Sequence, residues 1–307
     1  MRHVFIINPR AGKKDQTARI YAMADRLRAA HGLECACMLT DRPGGAAEMA
    51  RRLAAEGGEV RVYACGGDGT VSEVANGLAG FSNAAMTCVP AGTGNDFLKN
   101  FGPDMEKFRD AENLWDGPVF PLDLIDCNGR YCLTIACSGI DAQVAEGVHL
   151  YSRSPLLNGR GSYLASVAAN VLLRPIGHRW TVTLDGETEE GDFALVSVCN
   201  GRHYGGGSTP VPEARMDDGV LNTILVRKIG KAAFARLFAV YSAGNYRHVP
   251  QAAWAVTARE VRIQSEEEIV TCLDGECFRS RDVVLRLADK RVNFFGPRGC
   301  DPNATAR

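Results

Sequence analysis

The first third of the chain alternates short apolar runs with segments in which apolar residues recur every three or four positions. Residues 3–8 (HVFIIN) read as a buried strand. Residues 17–32 read as a helix, with Ile20, Met23, Leu27 and Ala30 on one face and Gly32 as its stop. A short strand around 34–40 (ECACMLT) follows. An amphipathic helix over 46–58 ends at Gly57-Gly58, and 60–65 (VRVYAC) is another buried strand. The pattern continues with a helix over 70–80, with Val71, Val74 and Leu78 inward, and a strand over 85–90 (AMTCVP). Strands alternating with helices predict a parallel sheet with helices on both faces. Ligands in such folds bind beyond the carboxyl ends of the strands.

After about residue 120 the rhythm changes. FPLDLIDC and RYCLTIACSG flank Asn128-Gly129, a strong hairpin signal. WTVTLDG and FALVSVCNG flank another turn. GVLNTILVRK, REVRIQS, EIVTCLDG and DVVLRLADKRVNFF each read as a strand. Two helical segments, 162–174 (SYLASVAANVLLR) and 231–246 (KAAFARLFAVYSAGNY), interrupt them. The expected architecture is a Rossmann-like, three-layer α/β domain over 1–120 and an antiparallel β-sandwich with inserted helices over 121–292. The boundary is expected near 116–120. The tail, 293–307, is expected to pack back onto the first domain, with its last eight or so residues frayed.

The chain has 307 residues, with 35 Lys and Arg against 36 Asp and Glu. This balance leaves no basic field for nucleic acid. Eleven cysteines lie mostly within apolar runs and without zinc-type pairing, as small buried residues do in a reducing compartment. No run reaches the length of a membrane span, and the N-terminus lacks the features of a secretory leader, so a cytoplasmic protein is expected.

Three glycine-bearing loops follow predicted strands: 8–14 (NPRAGKK), 66–70 (GGDGT) and 92–96 (GTGND). Glycine there lets backbone N–H groups approach phosphate oxygens, and the helix beginning at Thr70 or Val71 adds its positive end. Neither a Walker P-loop nor a G-x-G-x-x-G fingerprint is present. Asp68 and Asp96 would repel a polyphosphate unless Mg²⁺ intervened, which points to metal-assisted phosphoryl transfer.

With these loops in view, the chain resembles the diacylglycerol kinase catalytic-domain family. NPRAGKK, GGDGTVSEVANGL, PAGTGNDF, NGRHYGGG (200–207), PEARMDDGVLNTILV (212–226) and LDGE (273–276) match its motifs in order across nearly the whole chain. The resemblance implies an ATP- and Mg²⁺-dependent lipid kinase that phosphorylates diacylglycerol to a phosphatidate-type product. It implies that Gly66, Gly67, Asp68, Gly69 and Thr70 hold ATP phosphates, with Asp68 also organising Mg²⁺ through water and Glu73 at the site's edge. Gly92, Thr93, Gly94, Asn95 and Asp96 would complete the nucleotide and metal site. Asn8, Gly12, Lys13, Lys14 and Arg19 would line or neutralise the phosphates, and Thr40 takes the place of a nucleotide contact. Glu276 would be the general base with Asp274 beside it, although by itself Asp274-Gly275-Glu276 reads first as a solvated turn. Asp218, with the carbonyls of Arg215 and Val220, would hold a structural Mg²⁺; alone, this segment reads as a turn.

On the lipid side, Arg153, Arg160, Arg174 and Arg179 lie near Leu156, Leu157, Leu172 and Leu173. This region reads either as a face for anionic headgroups at the membrane surface or as a helix with a solvated basic side. Other acceptors stay open, among them a sphingoid base, phosphatidylglycerol or a monoacylglycerol, as does a non-catalytic nucleotide- or lipid-sensing module. An exposed sandwich edge would suit a homodimer.

Overall fold

The computed structural model describes residues 1–92, 94–151 and 177–305. The predicted helix over 162–174 and most of the basic region around it lie outside the described residues. Two compact units emerge, Met1–Leu124 with Ala288–Thr305, and Ile125–Leu287.

The first unit holds β1 (Arg2–Ile7), α1 (Thr17–His31), β2 (Glu34–Leu39), α2 (Gly45–Ala55), β3 (Val60–Gly66), α3 (Asp68–Leu78), β4 (Ala84–Pro90) and β5 (Val119–Leu122). It also holds β15 (Val292–Phe295), and its sheet runs β2-β1-β3-β4-β15-β5. The first four strands pair in parallel, β15 joins β4 in parallel, and β5 runs antiparallel to β15. β1, β3 and β4 are almost wholly buried, as expected for strands covered on both faces. In α1 the buried face is Ile20, Met23, Ala24 and Leu27; Ala30, expected inward, is exposed in the last turn. Gly32 ends α1 in the left-handed conformation at φ 65°, its N–H bonded to the Arg28 carbonyl.

The run DVVLRLADKRVNFF is not one strand. β14 ends at Leu287, the polar segment Asp289–Arg291 intervenes, and the chain returns to the first sheet as β15. There Phe294 packs against Phe97, Phe101 and Phe108, and Phe295 meets Tyr63 edge-on. This aromatic group anchors the 3₁₀ segment Phe97–Arg109 beneath the sheet. The last residues are not frayed as far as Thr305. Cys300 and Asn303 are buried, and the Thr305 hydroxyl reaches the Asn100 carbonyl at 3.5 Å.

The second unit comprises β6 (Ile125–Cys127), β7 (Arg130–Cys132), β8 (Ile135–Gly139), α4 (Ile140–Tyr151), β9 (His178–Leu184), β10 (Glu187–Cys199), β11 (Leu221–Arg227), α5 (Lys231–Ser242), β12 (Ala253–Ala258), β13 (Glu260–Leu273) and β14 (Glu276–Leu287). Its strands form a β-sandwich in which the long β10 and β13 flank β8 at one end and β9 at the other. Neighbouring residues face opposite layers, as pleating demands. Val196 and Val198 join Trp180, Val261 and Leu285 in one core, while Leu195 and Cys199 join Ile140, Leu237 and Tyr241 beneath the helices. FPLDLIDC divides between β5 and β6, so it serves both sheets. REVRIQS and EIVTCLDG are one strand, β13, with an irregularity between Gln264 and Ile269. α4 is an element that the apolar pattern did not separate from β8.

Three hairpins turn on two residues that both have positive φ: Asn128-Gly129 (55° and 84°), Asp185-Gly186 (46° and 95°) and Asp274-Gly275 (46° and 98°). Such turns match the right-handed twist of the flanking strands, so each sets a register.

Candidate active site

β1, β3 and β4 are parallel neighbours, so the loops that follow them emerge at the same sheet end. The loops touch through their backbones. Asn8 N–H donates to the Cys65 carbonyl at 2.9 Å, and Asn8 Nδ2 donates to Thr70 Oγ1 at 3.2 Å. Ala91 and Gly92 N–H both donate to the Gly66 carbonyl, at 2.9 and 3.2 Å. Two close approaches leave no room for a side chain. A Cβ on Gly12 (φ 76°) would lie 2.2 Å from the Ala91 carbonyl oxygen, and one on Gly92 would lie 2.6 Å from Gly67 Cα.

Asp68 opens α3, with Gly67 as N-cap in an extended conformation. Its Oδ2 accepts the Asn95 N–H at 2.9 Å, and Asn95 itself adopts φ 52°. Gly66, Asp68 and Asn95 line a small recess together with Val71, Cys88 and Leu98. Gly69 and Thr70 continue the first turn of α3, and Thr70 N–H and Val71 N–H both bond the Gly67 carbonyl. Asp68, Asn95, the glycines and Thr70 thus form one constellation. Gly94 is part of the same loop, while Thr93 lies outside the described residues.

The charged residues around this constellation are less uniform. Lys13 and Lys14 are exposed on the first loop. Arg19, from α1, donates to the carbonyls of Pro90 at 3.2 Å and Arg109 at 3.1 Å, so it braces the end of β4. Asp96 is ion-paired with Lys99 one helical turn on. Glu73 accepts the N–H groups of Gly44 and Ala46 at 2.9 and 3.0 Å, which satisfies orphan donors at the start of α2. Thr40 N–H bonds the Ile7 carbonyl at 2.9 Å, placing Thr40 beside the end of β1.

In the second unit, Leu273 and Glu276 close the β13–β14 hairpin around Asp274-Gly275. Glu276 is exposed and ion-paired with Arg130. Asp274 is held differently: its carboxylate accepts N–H groups from Leu133 at 2.5 Å, Thr134 at 2.9 Å and Ile135 at 3.3 Å. Burial pushes its pKa up, and these N–H bonds draw it back toward the ionised form. In the 215–220 loop, Asp218 is exposed, with Oδ1 accepting the Val220 N–H at 3.3 Å, and Arg215 pairs with Asp217 at 3.4 Å. Among the described residues no three His, Cys, Asp or Glu side chains converge as a metal cage. Asp68 and Asp218 offer carboxylate oxygens at two separate places in the chain. That donor set fits a largely hydrated Mg²⁺, which commonly takes one or two carboxylates and completes its shell with waters and phosphate oxygens.

Residues 2–127 match the diacylglycerol kinase catalytic domain model, and 134–294 match the YegS C-terminal NAD kinase beta sandwich-like domain model, which alone spans more than half the chain. The chain belongs to the diacylglycerol kinase catalytic-domain family. It is 26% identical over 273 residues to a diacylglycerol kinase of Bacillus subtilis, covering 88% of each protein. A solved structure from Bacillus anthracis superposes with a TM-score of 0.76 at 25% identity, covering 96% of each chain. Membership of this lipid kinase family makes the chain a kinase and implies the use of a nucleotide.

Within that family frame, several charged residues were not singled out from the sequence. Asp123 is 2% exposed and its carboxylate accepts from Arg291 Nε at 2.7 Å. Asp141, at the start of α4, is buried and receives the hydroxyls of Tyr204 and Tyr241. Burial pushes its pKa up and the two hydroxyls oppose that shift. Arg202 is fully buried and bonded to the Ala214 carbonyl. The available signal was a charge inside an apolar run, PLDLI for Asp123 and SGIDAQVA for Asp141, since a buried charge needs a partner. No described helix is long and apolar enough to cross a membrane.

Proposed function

We propose that the chain transfers the γ-phosphoryl group of ATP to the free hydroxyl of a diacylglycerol-like lipid, giving a phosphatidate-type product. The observation that carries this reading is the fusion of three strand-end loops by backbone contacts around one oriented carboxylate, Asp68. Phosphoryl transfer depends on positioning and charge neutralisation more than on covalent help, and such an array supplies both. The loop N–H groups and the amino end of α3 receive phosphate oxygens, and Lys13 and Lys14 add positive charge at the exposed rim. Mg²⁺, held through Asp68 and water, supplies the charge that lets a carboxylate stand beside a triphosphate. Arg19 and Glu73 act indirectly, by bracing β4 and α2. Asp96, compensated by Lys99, completes the third loop.

On the acceptor side, Glu276 takes the proton from the lipid hydroxyl as that oxygen attacks the γ-phosphorus and the bond to ADP breaks. Asp274 positions Glu276 by pinning the turn to the 133–135 segment. Asp218 with the Arg215 and Val220 carbonyls holds a structural Mg²⁺. The lipid is met at a membrane surface without a spanning helix.

The test is transfer of label from γ-labelled ATP across a panel of diacylglycerol, monoacylglycerol, sphingoid base, phosphatidylglycerol and NAD. Label is expected in diacylglycerol, in a product that migrates as phosphatidate. Label confined to another acceptor would replace the proposed substrate, and ATP binding without any transfer would make the chain a sensor.

A further inference from the structure

Three thiols stand in a row across the second unit's sheet. Cys272 on β13 lies opposite Cys137 on β8 and opposite Cys277 on β14. Directly opposed residues project to the same face, and Cys137 and Cys272 share one small core with Ala142 and Val270, with Cys277 packed against it. The two pairings are not equivalent. Leu273 and Glu276 flank a two-residue turn and are therefore the closing hydrogen-bonded pair. One step inward, Cys272 and Cys277 occupy a non-hydrogen-bonded site, where Cα atoms stand about 4.5 Å apart and side chains are closest. A disulfide accepts Cα separations of roughly 4.4–6.8 Å. Cys272 faces Cys137 through its hydrogen-bonded side, consistent with the donor two residues on, Asp274 N–H, reaching the Ile135 carbonyl at 3.3 Å. There the separation is about 5.5 Å and the side chains diverge more.

We propose that Cys272 and Cys277 form a cross-strand dithiol that closes reversibly to a disulfide by exchange with a low-molecular-weight disulfide such as oxidised glutathione. Cys277 is the partly exposed member, its Sγ donating to the Ala142 carbonyl at 3.6 Å, whereas Cys272 is buried. As thiolate, Cys277 attacks one sulfur of the small disulfide and releases one thiol. Cys272 then gives up its proton and attacks the Cys277 sulfur, releasing the second thiol. The protein loses two electrons and two protons, and the small disulfide is reduced to two thiols. Both pKa values are pushed up, that of Cys277 by the neighbouring Cys272 thiol foremost and then burial, and that of Cys272 by the Cys137 thiol foremost. Exchange is therefore slow at neutral pH and is read at equilibrium rather than as a fast response. Closure moves Cys277 Sγ off the Ala142 carbonyl and ties the strands one pair below the turn that carries Asp274 and Glu276. The inference does not depend on the kinase reading, because nothing in it uses nucleotide or lipid.

The test equilibrates folded full-length protein in glutathione buffers of graded redox ratio at mildly alkaline pH, followed by acid quench, alkylation and peptide mass spectrometry. The expected result is a Cys272–Cys277 linked peptide that dithiothreitol reverses, retained in Cys137→Ser and absent in Cys277→Ser. A Cys137–Cys272 link, a persistent glutathione adduct on Cys277, or both thiols still free in the most oxidising buffer would overturn it. The wild-type map decides the matter even if a variant fails to fold.

Discussion

The loops of the first unit and the turns of the second hold their carboxylates in different ways. Asp68 belongs to a set of backbone segments that touch one another so closely that Gly12 and Gly92 admit no Cβ. Glu276, beside a turn and paired with Arg130 of β7, and Asp218, bonded to the Val220 N–H, are exposed side chains. A polyphosphate presents many oxygens, and the donors that meet them must be fixed as an array. A proton acceptor is one group, and a rigid turn suffices to aim it.

Removing one carboxylate from each side separates the two arrangements. Asp68→Ala should lower kcat/KM by about 10³-fold or more and weaken ATP binding in parallel, with little change in melting temperature. Glu276→Gln should lower kcat by roughly 10²–10⁴-fold while leaving ATP affinity intact. Calorimetric titration with Mg²⁺–ATP and steady-state kinetics on both variants separate the two roles. Equal loss of ATP affinity in both would erase the distinction.

A smaller effect is expected where the array is only strained. Gly92→Ala sets a Cβ against Gly67 Cα, and overpacking of this kind costs about 1–3 kcal/mol. The resulting loop shift should raise KM for ATP about tenfold at nearly unchanged kcat, since it disturbs binding more than chemistry. An unaltered KM would show that the loops tolerate movement.

The first unit also has a pH signature at His3. His3 is fully buried, bonded to the Tyr63 hydroxyl at 2.9 Å, and burial foremost, then Arg61, lowers its pKa from 6.5 to about 4. The folded protein keeps His3 neutral, whereas the unfolded chain takes up a proton below pH 6.5. Stability is therefore complete above the unfolded value and falls as pH drops from 6.5 toward 4, by up to about 3 kcal/mol. Denaturant unfolding of wild type and His3→Gln across that window should show a steeper fall in the wild type. Parallel slopes would show that His3 does not contribute to the acid destabilisation. The smallest effect is expected at Asp218, where Asp218→Ala should lower the melting temperature by only a few degrees and abolish its rise with Mg²⁺. A Mg²⁺-dependent rise that survives the substitution would place the ion elsewhere.

Much of the first unit was legible because its strands are buried on both faces and its helices are periodic. The phosphate-type loops stood out as glycines at strand ends. Their mutual contacts were not legible, since the approach of Gly12 to Ala91 joins residues far apart in sequence. The break between β14 and β15 was hidden for a similar reason. Val292, Phe294 and Phe295 look like more of the same strand until the aromatic group around Phe101 claims them for another sheet. α4 was hidden because β8 and the helix are apolar and continuous. Asp123 and Asp141 sit inside apolar runs, where a single carboxylate carries no periodic signal. Glu73 and Arg19 had the right chemistry for the phosphate site, but their bonds go to a helix start and to strand-end carbonyls. Side-chain type alone does not determine which partner is within reach.

On the proposed reading, the N–H groups of the loops at 8–14, 66–70 and 92–96 that are not already bonded within the protein receive the phosphates of ATP. Amide hydrogen exchange with and without Mg²⁺–ATP addresses it most directly. Slowed exchange is expected in those three stretches together, and its loss in Asp68→Ala. Protection confined to other parts of the chain, or protection in only one of the three, would contradict the claim.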